Sequence, residues 1–391
     1  MDIIPKIFLK KGKEKPILQR HPWIFSGAIS KKDDVADGQI IAICDSNGTH
    51  LGYGYYNSRS QIAARVLSFG TEKVDKDFLK KLIRSAYQKR KENPLLKNSD
   101  AFRVIFSEGD FIPGLIVDDY NGHLVLQILT LGIETLRDTL VELLVDFLGP
   151  LSIYERSDHS ARMIEGLTAR LGQVWGSTPD EVIIHENGMV FCVDILKGQK
   201  TGFFLDQREN RGLVKDVSRD KDVLNLFCYT GGFSVAAYLG GAKEVISVDS
   251  SESALMGTGK NITLNQIHQS PLLVHGDVFQ YLRQESIQSN FIIIDPPSFT
   301  KNRGAVKNAC RGYKELNLQV IQKCPKGSLV VTCSCSRFVD MGLFQKVIFS
   351  AAADAGRNVS ILRKSHHPMD HPVNIFHPES EYLKSLLLFV E

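Results

Sequence analysis

Cysteine is scarce in this chain of 391 residues. There are seven, an odd number, and their spacing forms no disulfide framework. That argues against a stapled secreted domain and for reduced thiols. Long apolar runs are also missing. No window of about 18 uninterrupted apolar residues occurs, which excludes an ordinary membrane-spanning helix. Met1–Lys11 shows neither the apolar run nor the cleavage site of a signal peptide, so a cytoplasmic protein is expected. Charge of one sign is absent too: 47 basic and 44 acidic side chains leave a net charge of +3. Nor is there a convincing internal repeat or a long low-complexity tract. Four histidines crowd the tail at His366, His367, His371 and His377. Their spacing fits no standard zinc ligand set and no cysteine pair accompanies them. A solvated loop without metal is expected there.

What is present is an ordinary globular composition, 43% hydrophobic, with length for two or three domains. Up to Gly70 there are ten Lys or Arg against six Asp or Glu, with five lysines from Lys6 to Lys15. A basic arm of this kind can neutralise phosphates or simply be solvated. The first 71 residues carry short β-type runs, Ile40–Cys44, Leu51–Tyr56 and Gln61–Leu67, broken by turn chemistry such as Asn47-Gly48. A charged helical stretch, Asp75–Lys91, leads into a mixed region, 72–190. There Asn121-Gly122 and Asn187-Gly188 signal hairpins, Glu134–Leu148 has helical period, and Ile153–Glu155 reads as a strand. From 191 to 391 apolar strands alternate with helices: Val223–Phe227, Glu244–Asp249, Leu272–His275, Phe291–Asp295 and Ser328–Cys333. That alternation predicts a parallel sheet covered on both faces. Val359–Lys364 and Leu383–Val390 are expected to add an antiparallel hairpin at its edge. The fold class is therefore α/β in the last part, preceded by a β-rich domain and an α+β domain.

The third region carries the chemistry. Asn225-Leu-Phe-Cys-Tyr-Thr-Gly-Gly232 follows a strand and opens a helix, where open α/β sheets bind ligands. Glycine there lets backbone approach a ligand. Asp249, 18 residues beyond Gly231, ends the next strand and suits ribose hydroxyls. Asp277, after the third strand, is placed for an adenine edge. The pattern is not a clean G-x-G-x-x-G; a nicotinamide-dependent dehydrogenase and a purely structural Gly-Gly turn both compete with it. Asp295-Pro-Pro-Ser-Phe299 shifts the balance. The two prolines remove donors and stiffen the turn, so the Asp295 carboxylate is held at a fixed site and Phe299 can stack on a flat base. Such turns occur in S-adenosylmethionine (SAM) enzymes that methylate planar nitrogen-bearing groups.

Several segments together resemble one family, the RlmI-type large-subunit ribosomal RNA cytosine-C5 methyltransferases, over essentially the whole chain. They are His21–Ala28, Gly109–Gly114, Tyr154–Asp158, Lys200–Arg208, Tyr229–Phe233, Asp295–Phe299, Cys310–Lys314 and Ser334-Cys335-Ser336. The resemblance implies an N-terminal PUA domain (1–71), a central α+β domain (72–190) and a C-terminal Rossmann-like class I methyltransferase domain (191–391). It implies SAM as cofactor and 23S rRNA as partner, and allows a homodimer. It also implies that Gln207, Arg208 and Asn210, with Asp206, reach the amino-acid end of SAM. Asn225, Phe227, Tyr229, Thr230, Gly231, Asp249, Asp277 and Asp295 complete the expected cofactor set. Pro296, Phe299, Arg311 and Lys314 are expected at the substrate, although Arg311 and Lys314 read equally well as helix-surface charges.

Carbon 5 of cytosine is a poor nucleophile unless a thiolate first adds to carbon 6, so a cysteine is needed at the base pocket. Thr332-Cys-Ser-Cys-Ser336 closes a strand at the active edge. A period of two lets Cys333 and Cys335 share a face, so spacing cannot choose between them. The resemblance assigns the nucleophile to Cys335, with Asp295 as its catalytic companion. Some RNA cytosine-C5 enzymes carry a second cysteine beside the Asp-Pro-Pro turn; here Ser298 follows Pro297. Two other readings compete: an RNA N-methyltransferase of the N2-guanine type, which needs no thiol, and a non-catalytic RNA-binding or ribosome-assembly module.

Overall fold

The computed structural model describes residues 4–300 and 302–391. Its first sheet has six strands: β1 (Lys6–Leu9), β2 (Trp23–Ile24), β3 (Ile29–Lys32), β4 (Ile40–Cys44), β5 (His50–Tyr56) and β6 (Ala64–Phe69). They lie in the order β2-β6-β5-β4-β1-β3, antiparallel except for β1 with β4. Alternate residues Ile7, Leu9, Ile41, Ile43 and Val66 meet in one buried cluster. The turn between β4 and β5 is set by Asp45, whose Oδ1 accepts from Asn47 N and Thr49 N at 2.8 Å each, as short acidic side chains do in turns.

The second sheet holds β7 (Ala101–Phe106), β8 (Leu115–Tyr120), β9 (His123–Ile128), β10 (Ser152–Ser157) and β11 (Arg170–Gly176), in the order β11-β10-β9-β8-β7. Asn121 and Gly122 both adopt positive φ, 53° and 86°, the pair a tight primed turn requires. The helix Lys76–Lys91, capped by Asp75, turns Phe78, Leu79, Ile83 and Ala86 onto the sheet. Beside them lie two buried ion pairs with matched forks. Arg90 donates to both oxygens of Asp110 at 2.6 Å, and Arg103 to both oxygens of Asp118 at 2.7 and 2.8 Å. Asp370, distant in sequence, joins this core. Its carbonyl accepts from Arg90 at 2.8 Å and its Oδ2 from the Arg103 N–H at 2.9 Å.

The chain divides into two compact units, one of 1–182, 193–203 and 369–380, the other of 183–192, 204–368 and 381–391. Two of the four tail histidines depart from the expected solvated loop, while His366 is exposed. His371 and His377 are each only 2% exposed. His371 packs on Phe106 and His377 lies 4.3 Å from the Trp23 ring. Long-range partners, invisible in local sequence, bury them. The described residues contain no cluster of His, Cys, Asp and Glu able to hold a metal ion.

The second unit is built on a hairpin, β12 (Val182–Glu186) with β13 (Met189–Val193), and a seven-stranded sheet. The sheet comprises β14 (Asp222–Leu226), β15 (Glu244–Asp249), β16 (Leu272–His275), β17 (Phe291–Ile294), β18 (Ser328–Ser334), β19 (Val359–Ser365) and β20 (Lys384–Val390). Their order is β16-β15-β14-β17-β18-β20-β19. The first five are parallel, and β20 is antiparallel to both neighbours. Of the expected edge pair, β19 lies at the margin and β20 is interior. Strand order reverses between β14 and β17, and a crevice for ligands forms beyond the carboxyl ends at such a point. Ile292, Ile294, Tyr313, Leu316, Val330 and Phe344 fill the core beneath one face. No helix among the described residues is long and apolar enough to cross a membrane.

Candidate active site

The loop after β14 is the most contorted backbone of its unit. Phe227, Tyr229 and Gly231 have φ of 60°, 49° and 76°, with ordinary residues between them. Two of these are bulky side chains in a left-handed conformation, and such strain persists only where neighbours enforce it. Here they do. Cys228 N donates to Val248 O at 3.1 Å and Tyr229 N to Asp249 Oδ2 at 2.8 Å. The Tyr229 carbonyl accepts from Thr258 at 2.9 Å, and the Thr230 carbonyl from Asn261 at 2.8 Å. A side chain at Gly231 would meet Thr258 Cγ2 at 2.5 Å, so glycine is required there. Asp249 is half-buried at the end of β15, and its other oxygen accepts from Ser251 N at 2.9 Å. Asp277 caps the helix Val278–Gln284 through Gln280 N and is exposed. Asn225 is wholly buried and turns its amide to Ser234 at 2.8 Å, so its side chain serves the contact between β14 and the helix that follows.

Gln207 links two parts of the site. Its Nε2 donates to Asp295 Oδ1 at 2.9 Å and its Oε1 accepts from Asn210 at 2.6 Å. Asp206 accepts from the Tyr382 hydroxyl at 2.6 Å. Arg208 and Arg211, both 2% exposed, converge on Glu186 of β12. Arg211 does so through two bonds of 2.6 Å, and Arg208 at 3.6 Å. Glu186 and Arg211 were not anticipated from sequence, because the hairpin that brings Glu186 here is separated from them by an irregular segment.

The Asp-Pro-Pro turn closes β17. Pro296 is buried, and its carbonyl lies 3.8 Å from the Cys335 sulfur. Cys335 stands one residue past the end of β18 and is half-buried, whereas Cys333 within the strand has no exposure. Burial pushes the Cys333 thiol well up, and the negative charge of Asp295 adds to that. Ser336 fastens the thiol-bearing loop: its hydroxyl bonds Ser298 at 3.0 Å and the Tyr313 hydroxyl at 2.8 Å. Phe299 packs on Tyr313, ring centres 4.7 Å apart, and on Phe279. Lys314 is drawn to Asp354 on the neighbouring helix at 2.6 Å, and Arg311 is exposed beside Asn308. The structure thus gathers Asp295, Gln207, Pro296 and Cys335 in one place, and gives Lys314 and Phe299 partners within the protein.

Comparison with known proteins fixes the frame. Residues 7–69 match the model of a PUA-like domain, and residues 172–356 that of an S-adenosylmethionine-dependent methyltransferase. The ribosomal RNA large subunit methyltransferase I of Tolumonas auensis is 42% identical over 98% of each chain, and that of Aeromonas salmonicida is likewise 42% identical over 98% of each. This chain belongs to the ribosomal RNA large subunit methyltransferase I family. Among solved structures, a SAM-dependent methyltransferase from Streptococcus mutans is 25% identical, with a TM-score of 0.83 over 99% of this chain and 100% of that one. Another methyltransferase, solved with S-adenosylhomocysteine, is 26% identical with a TM-score of 0.85 over the same shares. The protein is thus a SAM-dependent member of the methyltransferase I family, and its sheet leaves a crevice beyond the carboxyl ends of β14 and β15. The Asp-Pro-Pro turn of this methyltransferase then stands beside a thiol that the strand end has lifted out of the core.

Proposed function

We propose that this enzyme methylates carbon 5 of a cytosine in 23S ribosomal RNA, with Cys335 as covalent nucleophile. The observation that carries this reading is the difference between two cysteines two residues apart. Cys333 is sealed in the sheet, while Cys335 is accessible and lies against the Asp-Pro-Pro turn. The names of the relatives supply the ribosomal RNA.

The donor set suits SAM: an acid for a diol, a glycine at a turn packed too closely for any side chain, and buried amides beside a carboxylate. Asp249 holds the ribose hydroxyls, and Asp277 reaches the adenine edge. The 227–231 loop, with Phe227, Tyr229, Thr230 and Gly231, lines the ligand, and Asn225 supports that loop from beneath. Gln207, Arg208, Asn210 and Asp295 serve the amino-acid end. When bound, SAM supplies an electrophilic methyl group on sulfur. Cys335 adds as thiolate to carbon 6 of the cytosine, and the electron pair moves to carbon 5. Carbon 5, made nucleophilic by that addition, would be the atom to accept the methyl group that bound SAM supplies, the sulfur keeping the electrons of the broken bond. A base then removes the proton from carbon 5, and the carbon 6–sulfur bond breaks to restore the thiolate. Asp295 meets the N3/N4 edge and holds the ring; Pro296 stiffens that wall. Ser298 in place of a second cysteine means that release relies on Cys335 leaving by itself. The PUA-like domain and basic arm grip RNA backbone and shape, and the target base is unpaired or flipped.

Nucleoside mass spectrometry of 23S rRNA tests this. RNA from a deletion strain gains 5-methylcytidine when treated with wild-type enzyme and none with Cys335→Ala, although the variant still binds SAM in calorimetry. Methyl transfer by Cys335→Ala, or transfer to a guanine nitrogen, would replace this reading with the N-methyltransferase one. Absence of SAM binding in the wild type would leave only an RNA-binding module.

A further inference from the structure

Beside the loop that carries Cys335 lies a buried cation. Lys384 opens β20 and stands in register with Ser334 of β18. It is 1% exposed, and lysine is almost never so buried without a purpose or a partner. Its ammonium donates to the Ser336 carbonyl and to the Tyr382 carbonyl, each at 2.6 Å. Both acceptors are neutral, so they fix its position without cancelling its charge. The Ser336 carbonyl belongs to the residue next to Cys335. The Ser336 side chain is in turn locked by Ser298 and Tyr313. The amine is therefore fixed to the backbone of the residue that follows the thiol.

Tyr313, Cys333 and Asp295 are titratable neighbours of the thiol that bring no positive charge. Burial pushes Tyr313 up to about 12 and Cys333 well above its ordinary value, so both are neutral near pH 7. Asp295, on the turn, carries charge of the opposite kind. Burial pulls Lys384 down to about 8, and Cys335 is the leading influence in the other direction, ahead of Glu381 and Asp340. The ammonium still predominates at pH 7, and in a site with little water a fixed positive charge acts strongly on a nearby anion.

We infer that Lys384 activates Cys335: hooked to the Ser336 carbonyl, its ammonium favours the thiolate over the thiol before RNA arrives. The thiol proton passes to solvent, the ammonium keeps its three protons, and an ion pair results. Lys384 acts through Cys335 and is a positioning residue. The inference rests on the reading of Cys335 as the nucleophile.

Its test is the pH dependence of Cys335 alkylation by iodoacetamide in the full chain, mapped by tandem mass spectrometry so that Cys333 is distinguished. The wild-type midpoint is expected at least about one pH unit below the ordinary thiol value of about 8.5. Lys384→Gln keeps an N–H for the Ser336 carbonyl but removes the charge. It should raise the midpoint by about one unit or more, slowing alkylation near pH 7 by about tenfold. Lys384→Arg should recover most of the rate. SAM calorimetry verifies that each variant retains its fold. An ordinary midpoint in the wild type overturns the inference without any variant, and so does an unmoved midpoint in Lys384→Gln. No RNA is used, so a failure here is separate from a Cys335→Ala enzyme that still methylates.

Discussion

Asp249 does two things with one carboxylate. It holds backbone, accepting from the Tyr229 N–H of a strained loop and from Ser251 N, and in the proposed reading it also receives the ribose hydroxyls. Asp249→Asn keeps an acceptor but loses the charge. We expect SAM affinity to fall roughly tenfold to hundredfold in calorimetry, the range for a hydrogen bond to a charged group. An unchanged affinity would move the ribose site elsewhere. At Gly231, alanine meets both a positive φ and Thr258. Gly231→Ala should cost about 1–3 kcal/mol in denaturant titration. Adding Thr258→Ala should recover only the steric part, because the backbone strain remains. These acids and glycines were legible in the sequence because they mark strand ends and turns, where local chemistry is distinctive. Lys384 was not. In Leu383–Val390 it is one cation in an apolar run, and only its pairing with β18 places it near a thiol. Spacing alone does not separate Cys333 from Cys335, since both obey the period of two; the resemblance assigns Cys335, and the end of β18 at Ser334 is what leaves it the more exposed of the two.

Hairpins were the most readable elements. Asn121-Gly122 and Asn187-Gly188 both form the turns their dipeptides require, all four residues at positive φ. The first also contains an electrostatic cost. Asp119 accepts from Gly122 N at 2.7 Å, yet burial pushes its carboxyl up to about 6, with Asp100 and Asp118 adding repulsion. Below about pH 4 the group is protonated whether the chain is folded or not. Between about 4 and 6 the unfolded chain releases its proton and the folded chain retains it, so stability falls as pH rises through this window. Asp119→Asn preserves the acceptor and removes the charge. It should stabilise the protein at pH 7 by on the order of 1 kcal/mol and flatten that part of the pH profile. Equal stability of the two proteins at pH 7 would refute the argument. The least readable element was β11. Its residues are mostly exposed and include Gly172 and Gly176, so no alternation of apolar side chains announces an edge strand.

At the scale of the molecule, chain order and compact unit do not coincide. Residues 369–380 belong to the first unit although the chain on either side belongs to the second. Their anchor is Asp370, fully buried, with Arg103 N, His371 and Arg90 as partners. Asp370→Ala keeps the carbonyl bonded by Arg90 but removes the buried acceptor of the Arg103 N–H and the partner of His371, and should cost about 1–3 kcal/mol in chemical denaturation of the full chain. A loss under about 0.5 kcal/mol, the usual effect of a surface change, would show that the segment is merely resting there. Composition and charge could not foretell this, since the tail reads as a polar, histidine-rich loop until the arginines of a distant sheet are placed.

The interior position of β20 has a consequence for synthesis. As the chain is made, β18 emerges about fifty residues before its antiparallel partner, and β19 emerges in between. During that interval the nascent sheet presents an unsatisfied edge at β18, and β19 is a nearby strand that could dock there in error. Sealing the edge and delivering Lys384 to the thiol are the same event. A chain stalled in that interval would have Cys335 without the neighbouring Lys384 ammonium.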